Sequence, residues 1–306
     1  MNTQVNLAGI LMKNPVMTAS GTFGYGREYS QFFDLNLLGA LVTKAVNLEP
    51  RDGNPQPRCS EVFGGMLNSI GLQNDGLEIF LEKAIPFLKD YTVPLIVNIS
   101  ENTVEDFAEV ARKLSIPRVS GLEVNISCPN VKVGGMAFGT DPKATYDVIQ
   151  AVRQSTNKTV IAKLSPNVTN IVSIAKAAYD AKADALSMIN TLLGMDIDAV
   201  TGEPKTHGKG MYLGGYSGKA IMPVGLRCVY QVYNSEIPIP IVGMGGITNG
   251  IDAIKYIRAG ATAVAVGTST FIDPRSCPRI IGEIENFMKK YNIQDINDLK
   301  GTVKKI

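Results

Sequence analysis

The sequence contains few of the residues that bind metal ions or form disulfides. Its 306 residues include four cysteines, one histidine and no tryptophan. Cys59, Cys128, Cys228 and Cys277 lie far apart, with no Cys-x-x-Cys pair and no neighbouring histidine. The chain therefore encodes neither a zinc site nor an iron–sulfur cluster, and we predict no resident metal. Four scattered thiols favour a reducing compartment over a disulfide framework.

Charge and hydropathy exclude two further classes of protein. The formal net charge is only +2 and charged residues make up 19% of the chain, so nothing indicates binding to nucleic acid or to an anionic membrane. No stretch reaches the ~18 consecutive apolar residues of a membrane span. The N-terminus also lacks the basic and apolar regions of a signal peptide. We expect a soluble, cytoplasmic protein.

Seven short runs rich in Val, Ile and Ala end in a polar residue or a glycine, and an eighth, 122–126, alternates apolar and polar residues; each predicts a strand. They are residues 16–20, 40–44, 95–98, 122–126, 160–163, 185–190, 239–243 and 263–267. Segments with helical spacing, such as 104–114 and 171–181, lie between them. Alternating strands and helices predict parallel pairing, and eight such units predict an α/β fold, the closed (β/α)8 or TIM barrel. An open, doubly wound sheet is the alternative, but no Gly-x-Gly-x-x-Gly follows the first strand.

Two segments, 45–75 and 191–218, are longer than ordinary loops between a strand and a helix. Irregular loops of more than ~12 to 15 residues are usually lids or binding loops, and we expect both at the active-site end of the barrel. The glycines of the second segment, at 202, 208, 210, 214, 215 and 218, are expected to let it move. We interpret His207 as a solvated loop residue, and Cys228 and Cys277 as packing residues, while the role of Cys59 stays open. With no Pro- or Ser-rich linker, residues 1–306 are predicted to form one domain.

Cys128 lies directly beyond the fourth predicted strand, in Asn125-Ile-Ser-Cys-Pro-Asn. Pro129 cannot donate the hydrogen bond that would continue the strand, so the thiol is predicted at the strand's C-terminal end. Barrel enzymes place their catalytic residues at that end. Most free cysteines are small buried hydrophobes, but two asparagines and a serine flank this one. We therefore predict that Cys128 is catalytic.

The ends of the other strands carry hydroxyl, amide and ammonium groups and no carboxylate. They supply Ser20, Lys44, Asn98, Asn125, Lys163, Asn190 and Thr191. Glycine-rich turns follow the seventh and eighth strands, where barrels commonly bind phosphate, at Gly245, Gly246, Gly267 and Thr268. Tight turns also need glycine, but the occurrence of two such turns after these two strands favours phosphate. Flavin mononucleotide (FMN) fits both halves of this cavity, with its phosphate at the glycine turns and its isoalloxazine ring over the barrel mouth. A lysine near that ring would stabilise the reduced, anionic flavin.

Six motifs, in order along nearly the whole chain, resemble the catalytic subunits of class 1B dihydroorotate dehydrogenases. They are Ala19-Ser-Gly-Thr-Phe-Gly-Tyr-Gly, Asn54-Pro-Gln-Pro-Arg, Asn68-Ser-Ile-Gly-Leu-Gln-Asn, Asn125-Ile-Ser-Cys-Pro-Asn, Ala162-Lys-Leu-Ser-Pro-Asn and Gly243-Met-Gly-Gly-Ile. The resemblance implies oxidation of (S)-dihydroorotate to orotate in pyrimidine biosynthesis. It also implies FMN as the immediate acceptor and Cys128 as the base.

The same resemblance assigns binding residues and partners. The FMN contacts it implies are Ser20, Lys44, Ala45, Asn98, Asn125, Lys163, Ile189, Gly218, Gly245, Gly246, Gly267 and Thr268. The substrate contacts are Lys44, Asn68, Ser69, Ile70, Gly71, Leu72, Asn125, Asn190 and Thr191. A partner subunit with FAD and a [2Fe-2S] cluster is expected to pass electrons to NAD, in a heterotetramer around a homodimer of this chain.

Three alternatives stay open at this point. Class 1A enzymes use the same barrel with fumarate as acceptor and need no partner. A related flavin barrel reduces pyrimidine bases. The third alternative is a barrel that binds a ligand without catalysis, which the intact Cys128 and the complete set of donor residues disfavour.

Overall fold

The computed structural model describes residues 1–126, 132–133, 136–206 and 212–304. Eight parallel strands form its central sheet: β1 (Val16–Thr18), β2 (Leu41–Val42), β3 (Leu95–Ile99), β4 (Gly121–Asn125), β5 (Thr159–Lys163), β6 (Ala185–Met188), β7 (Ile241–Met244) and β8 (Ala263–Val266). They pair in the order β1, β8, β7, β6, β5, β4, β3, β2. A parallel bridge between Met17 and Ala40 joins the two ends of this sheet. The predicted (β/α)8 barrel is therefore confirmed, and the open sheet is excluded.

Helices lie between the strands on the outside of the barrel. They are α1 (Gly76–Ile79), α2 (Ile85–Leu88), α3 (Val104–Lys113), α4 (Pro142–Ser155), α5 (Ile171–Asp180), α6 (Met222–Tyr233), α7 (Gly250–Ala259), α8 (Ser269–Ile272) and α9 (Ser276–Lys290). A π-helical segment, Phe80–Ala84, joins α1 to α2, and short 3-10 helices occupy Tyr29–Gln31, Leu35–Leu37, Phe138–Thr140, Lys219–Ile221 and Ile296–Leu299. In the described part of the chain, no helix has the length and apolar character needed to span a bilayer.

Side-chain caps fix where four of these helices begin. Thr103, Asp141, Asn170 and Asn249 immediately precede α3, α4, α5 and α7. The side-chain oxygen of each accepts a hydrogen bond from a backbone N–H in the first turn, an interaction that typically stabilises a helix by ~1 kcal/mol. Because the caps end the connecting loops, the loops after β3, β5 and β7 stay short.

A threonine side chain completes the barrel where backbone pairing is thinnest, between β1 and β2. The Oγ1 atom of Thr18 accepts a hydrogen bond from the backbone N–H of Val42 at 2.8 Å and donates to the backbone oxygen of Val42 at 3.0 Å. Thr18 is fully buried, so its hydroxyl takes the place of a backbone partner that these groups would otherwise lack.

An N-terminal hairpin covers the opposite end of the barrel from the strands' C-terminal ends. Strand Val5–Leu7 pairs antiparallel with Ile10–Met12, and their alternate side chains are buried. The hydroxyl of Thr159, at the start of β5, donates to the backbone oxygen of Ala8 in the hairpin turn. The hairpin therefore lies against the N-terminal end of the barrel.

The two long segments at the mouth of the barrel pair with each other, which corrects the expectation of irregular loops. Strands Leu192–Gly194, Gly214–Ser217, Gly65–Asn68 and Cys59–Val62 form an antiparallel sheet in that order. We call these four strands the mouth sheet. Two segments that each look irregular in sequence supply backbone partners for one another, and no local pattern reveals such distant pairing.

Close packing of neighbouring backbones explains why several positions of the mouth sheet are glycine. A Cβ atom at Gly215 would collide with the hydroxyl of Thr191, and one at Gly65 would collide with the backbone oxygen of Ser217. Gly218 has a φ of +105° and packs against the backbone of Gly64 and Gly65. Glycines 214, 215 and 218 thus allow two backbones to approach closely. The expected freedom of the segment to move stays a prediction.

Two cysteines have the packing role expected of them. Cys228 in α6 and Cys277 in α9 are buried in the core. Burial raises the pKa of the Cys277 thiol to about 12, which keeps it protonated and unreactive at neutral pH. Cys59 is exposed in the mouth sheet, where burial of its thiol sulfur still raises its pKa.

We expect Gly65→Ala to destabilise the mouth sheet, because the added methyl group collides with backbone rather than with a flexible side chain. Overpacking of this kind typically costs ~1 to 3 kcal/mol, and the unfolding midpoint should fall in thermal or urea denaturation. Gly282→Ala in α9 is the matched control, since a Cβ there has no neighbour within 4 Å. That control should gain roughly 0.5 to 1 kcal/mol from helix propensity, so equal effects of the two substitutions would contradict this account.

Candidate functional site

A cleft of about 1270 Å³ opens at the C-terminal ends of the barrel strands, beside the mouth sheet. Every flavin or substrate residue named from the sequence lines it: Ser20, Lys44, Ala45, Asn68, Ser69, Ile70, Gly71, Leu72, Asn98, Asn125, Lys163, Ile189, Asn190, Thr191, Gly218, Gly245, Gly246, Gly267 and Thr268. The barrel and its two long segments thus bring all these positions together. Cys128 and His207 lie outside the described residues, so their predicted roles stay predictions.

A buried ion pair lies at the base of this cleft. The Nζ atom of Lys163, at the end of β5, is 3.6 Å from Oε2 of Glu123 in β4. It also donates a hydrogen bond to the Oγ of Ser20 at 2.8 Å. Lys163 is 4% exposed and Glu123 only 1%, so the two charges interact with little screening by solvent. The lysine that the sequence predicts at a flavin is therefore held by a carboxylate and a hydroxyl.

Asn98 links the same carboxylate to the wall of the cleft. Its Nδ2 atom donates to Oε2 of Glu123 at 2.6 Å, and Ser187 donates to Oε1 at 2.8 Å. The other end of the amide, Oδ1 of Asn98, is buried and has no hydrogen-bond partner among the described residues. A buried carbonyl without a donor costs free energy, so this atom marks where a ligand's N–H or O–H group would bind.

Sequence reasoning missed Glu123 because it searched the strand ends for polar groups. Glu123 occupies the middle of β4, where Leu122 and Val124 on either side are also fully buried. A barrel strand is covered on both faces, by helices outside and by the barrel interior within, so an isolated charge between apolar neighbours signals a buried polar layer. That signal was present in the sequence.

Lys44 supplies the second ammonium group of the cleft. It is half-buried just beyond β2, and its backbone N–H donates to Gly24 at 2.8 Å. Burial and the nearby Arg58 guanidinium lower the pKa of Lys44, so its charged form is less favoured than that of a lysine in water. An anionic ligand beside Lys44 would raise this pKa by attracting the ammonium charge.

Side-chain amides join the ends of β4 and β6. Nδ2 of Asn190 donates to Oδ1 of Asn125 at 3.3 Å, and Oδ1 of Asn190 accepts from the backbone N–H of Thr191 at 2.8 Å. Asn167 extends this group by donating to the backbone oxygen of Thr191 at 3.0 Å and accepting from the N–H of Leu193 at 2.9 Å. Asn167 therefore anchors the start of the second long segment, a role that its position in Lys-Leu-Ser-Pro-Asn did not reveal.

The glycine turns after β7 and β8 form the far end of the cleft. Gly245 and Gly246 have φ values of +121° and +72°, a conformation in which a side chain would be strained. The buried Tyr256 donates its hydroxyl proton to the backbone oxygen of Gly245 at 2.7 Å and so fixes this turn. On the other side, Thr268 at the start of α8 donates to the Oγ of Ser217 at 2.8 Å.

Known proteins resemble this chain over nearly its whole length. The family model described as dihydroorotate dehydrogenase matches residues 2–288. The chain belongs to the dihydroorotate dehydrogenase family. It is 53% identical over 303 residues to a protein of Alkaliphilus metalliredigens (strain QYMF) named "Dihydroorotate dehydrogenase B (NAD(+)), catalytic subunit", with 99% of each chain covered. A protein of the same name from Geobacter metallireducens is 53% identical over 300 residues, with 98% of this chain and 97% of that protein covered.

A solved structure shares the fold of this dihydroorotate dehydrogenase family member. It is a DHODH from Eimeria tenella in complex with ferulenol, with a TM-score of 0.82 and 23% sequence identity. The alignment covers 98% of this chain and 88% of that one. At this level of identity the likeness supports the barrel and says nothing further about ligands.

A buried hydrogen-bond network holds the 68–72 segment of this family member against the end of β3. Asn74 donates through Nδ2 to Oδ1 of Asn47 at 2.6 Å and to the backbone oxygen of Leu72 at 2.8 Å. Asn47 in turn donates to the backbone oxygen of Ser100. These contacts support Leu72 in its left-handed conformation, with φ of +57°. The segment is therefore fixed from beneath by side chains outside the cleft.

Glu101 belongs to the same buried polar network. It is 4% exposed, accepts from the backbone N–H of Leu48 at 2.5 Å, and lies 3.5 Å from Arg51, a residue of the cleft wall. Burial outweighs these favourable contacts and raises the pKa of Glu101 above its ordinary value of 4.5. The folded protein therefore binds a proton at Glu101 more tightly than the unfolded chain does.

The raised pKa of Glu101 predicts a pH-dependent stability difference. Because protons bind Glu101 more tightly in the folded state, its contribution is fully present below pH 4.5 and is lost as pH rises through the raised pKa. Relative to Glu101→Gln, the wild type should therefore lose stability as the pH rises from 4.5, measured by urea unfolding at several pH values. The exposed Glu109, whose pKa is lowered by a hydrogen bond from Arg112, should show the opposite trend in Glu109→Gln. A pH-independent difference for Glu101→Gln would refute the prediction.

Proposed function

We propose that this chain oxidises (S)-dihydroorotate to orotate in pyrimidine biosynthesis, with a bound FMN as immediate acceptor. One observation carries the proposal: all described residues that the sequence assigned to the flavin or the substrate line a single cleft. Relatives that are 53% identical over nearly their whole length are named dihydroorotate dehydrogenase B (NAD(+)), catalytic subunit. The reaction named for them is the one that this cleft suits.

The residues present fit a flavin, as expected in a flavin-dependent family. Oδ1 of Asn98 offers an acceptor to the N–H or hydroxyl groups that a flavin carries. Lys163 and Lys44 supply positive charge, which would stabilise a reduced flavin. At the far end, Gly245, Gly246, Gly267 and Thr268 line the cleft, and such glycine-rich turns can bind a terminal phosphate, which favours FMN among the flavins.

The chain's own groups divide the remaining chemistry. A bound FMN would supply the acceptor for the hydride that leaves C6 of dihydroorotate. The thiolate of Cys128 takes the proton from C5, and the electron pair of the C5–H bond forms the C5=C6 double bond of orotate. The amides of Asn68, Asn125 and Asn190 bind the imide and carboxylate of the substrate without burying a further charge. Lys44, which lines the same cleft, would offset the negative charge of substrate and flavin.

We further propose that electrons leave through a partner subunit. The relatives are named as catalytic subunits of NAD(+)-linked enzymes, which implies a second subunit and favours class 1B over the fumarate-using class 1A. We infer that this partner carries FAD and a [2Fe-2S] cluster, in a cytoplasmic heterotetramer built around a homodimer of this chain. Residues 1–306 act as one barrel domain in this assembly.

The acceptor distinguishes this proposal from its closest alternative. We expect the purified chain to be yellow, to release FMN on denaturation as identified by chromatography, and to lose its visible absorbance when dihydroorotate is added without oxygen. It should then reduce an artificial dye but not NAD, because electrons reach NAD only through the partner. Adding a subunit with FAD and an iron–sulfur cluster should start NAD reduction.

Three results would contradict this assignment. A colourless protein that FMN does not reconstitute would remove the flavoenzyme proposal altogether. Rapid turnover with fumarate by the isolated chain would place it with class 1A instead. Bleaching by dihydropyrimidine bases but not by dihydroorotate would favour the base-reducing barrels.

Cys128→Ala tests the proposed base. The variant should keep its flavin and still bind orotate, but flavin reduction by dihydroorotate should slow at least ~100-fold in stopped-flow measurements, since general bases contribute ~10² to 10⁴-fold. In the wild type this rate should increase with pH, because the thiolate is the reactive form. Cys59→Ser is the control, as it changes a different thiol, one that lines the cleft, and should leave the rate unchanged. A near-wild-type rate in Cys128→Ala would mean that another group is the base.

A further inference from the structure

We propose that Glu123 is a positioning residue, which orients the Asn98 amide and the Lys163 ammonium toward the flavin. Its negative charge also weakens the positive field of Lys163 at the flavin. The proposal rests on the function proposed above. Glu123 does not line the cleft, so it acts through the two residues that do. It is the one carboxylate found in contact with both of them among the described residues.

The contacts of Glu123 suit an ionised carboxylate. Its Oε2 atom accepts from Asn98 at 2.6 Å and lies 3.6 Å from Nζ of Lys163, while Oε1 accepts from Ser187 at 2.8 Å. Donors thus converge on both oxygens, and an ionised carboxylate can only accept. Since Glu123 is 1% exposed, water contributes little to its solvation and these groups must supply it.

This arrangement decides which end of the Asn98 amide is left for a ligand. A primary amide can present either its NH₂ group or its oxygen, and the two orientations have the same shape. Because Glu123 can only accept, Nδ2 must face it, and the opposite atom, Oδ1, is the buried one without a partner. Asn98 therefore offers an acceptor, and it selects a ligand that donates at this point, as the ring N–H or a ribityl hydroxyl of a flavin does.

The same carboxylate limits the positive field of Lys163. Reduction adds negative charge to a flavin, so an unopposed ammonium nearby would favour the reduced state strongly. Glu123 opposes that field at short range and in a poorly screened setting. Removing its charge should therefore raise the reduction potential of the bound flavin.

Glu123→Gln tests both effects, because glutamine has nearly the same shape but no charge and can donate as well as accept. Apoprotein titrated with FMN and followed by flavin fluorescence should bind at least tenfold more weakly. The midpoint potential, measured against a reference dye, should rise by about 30 mV or more. In a two-electron couple this rise shifts the equilibrium between oxidised and reduced flavin tenfold toward the reduced state. Ser187→Ala is the matched control, since it removes one hydrogen bond to Glu123 but keeps the charge. Its potential should stay at the wild-type value.

The outcomes separate this inference from the proposed function. If Glu123→Gln binds FMN with wild-type affinity and potential, Glu123 does not position the site, although the flavoenzyme proposal stands. If the wild type binds no flavin in the same titration, both are wrong. Should Glu123→Gln not fold, Glu123→Asp provides the test, because the shorter side chain keeps the charge but does not reach Asn98 and Ser187 together. It should bind FMN more weakly at an unchanged potential, and wild-type affinity would overturn the proposal.

Discussion

Closure of the eight-stranded sheet is the constraint on which the rest of this structure depends. Parallel strands that close into a ring direct all their C-terminal ends to one rim, so residues that are distant in sequence meet there. Ser20 after β1 and Lys163 at the end of β5 are 143 positions apart in the chain, yet they share a hydrogen bond of 2.8 Å. The bridge between Met17 and Ala40 and the hydroxyl of Thr18 complete the ring, and thereby hold the site together.

Local patterns were sufficient to predict the barrel and to place residues such as Ser20, Asn98 and Lys163 at its rim, whereas the cleft positions of Ile189, Gly218 and residues 68–72 were expected only from the family resemblance. Each strand is a compact apolar run, and a polar residue at its end must reach the rim once parallel pairing is assumed. The pairing of the two long segments was not predictable in this way, because Leu193 and Gly215 become neighbours only through backbone hydrogen bonds across the mouth. Long-range pairing leaves no periodic trace in either segment.

The polar interior of the barrel escaped prediction for a related reason. A charge at Glu123 looks like the solvent-facing half of an alternating strand until both faces of that strand are known to be covered. Only the positions of Asn98, Ser187 and Lys163 around it show that the carboxylate is solvated by the protein. An apolar filling would pack the same space, but it would leave neither amide nor ammonium held in a defined direction.

The mouth sheet also restricts how members of this family can diverge. Because residues 65–68 and 214–217 are paired strand to strand, inserting one residue in either strand would shift the register and turn its side chains to the opposite face. Loops on a barrel rim ordinarily vary in length independently of one another. Here a change in the length of one strand has to be matched by a change in the other. The lengths of two segments far apart in the sequence are therefore expected to change together in evolution.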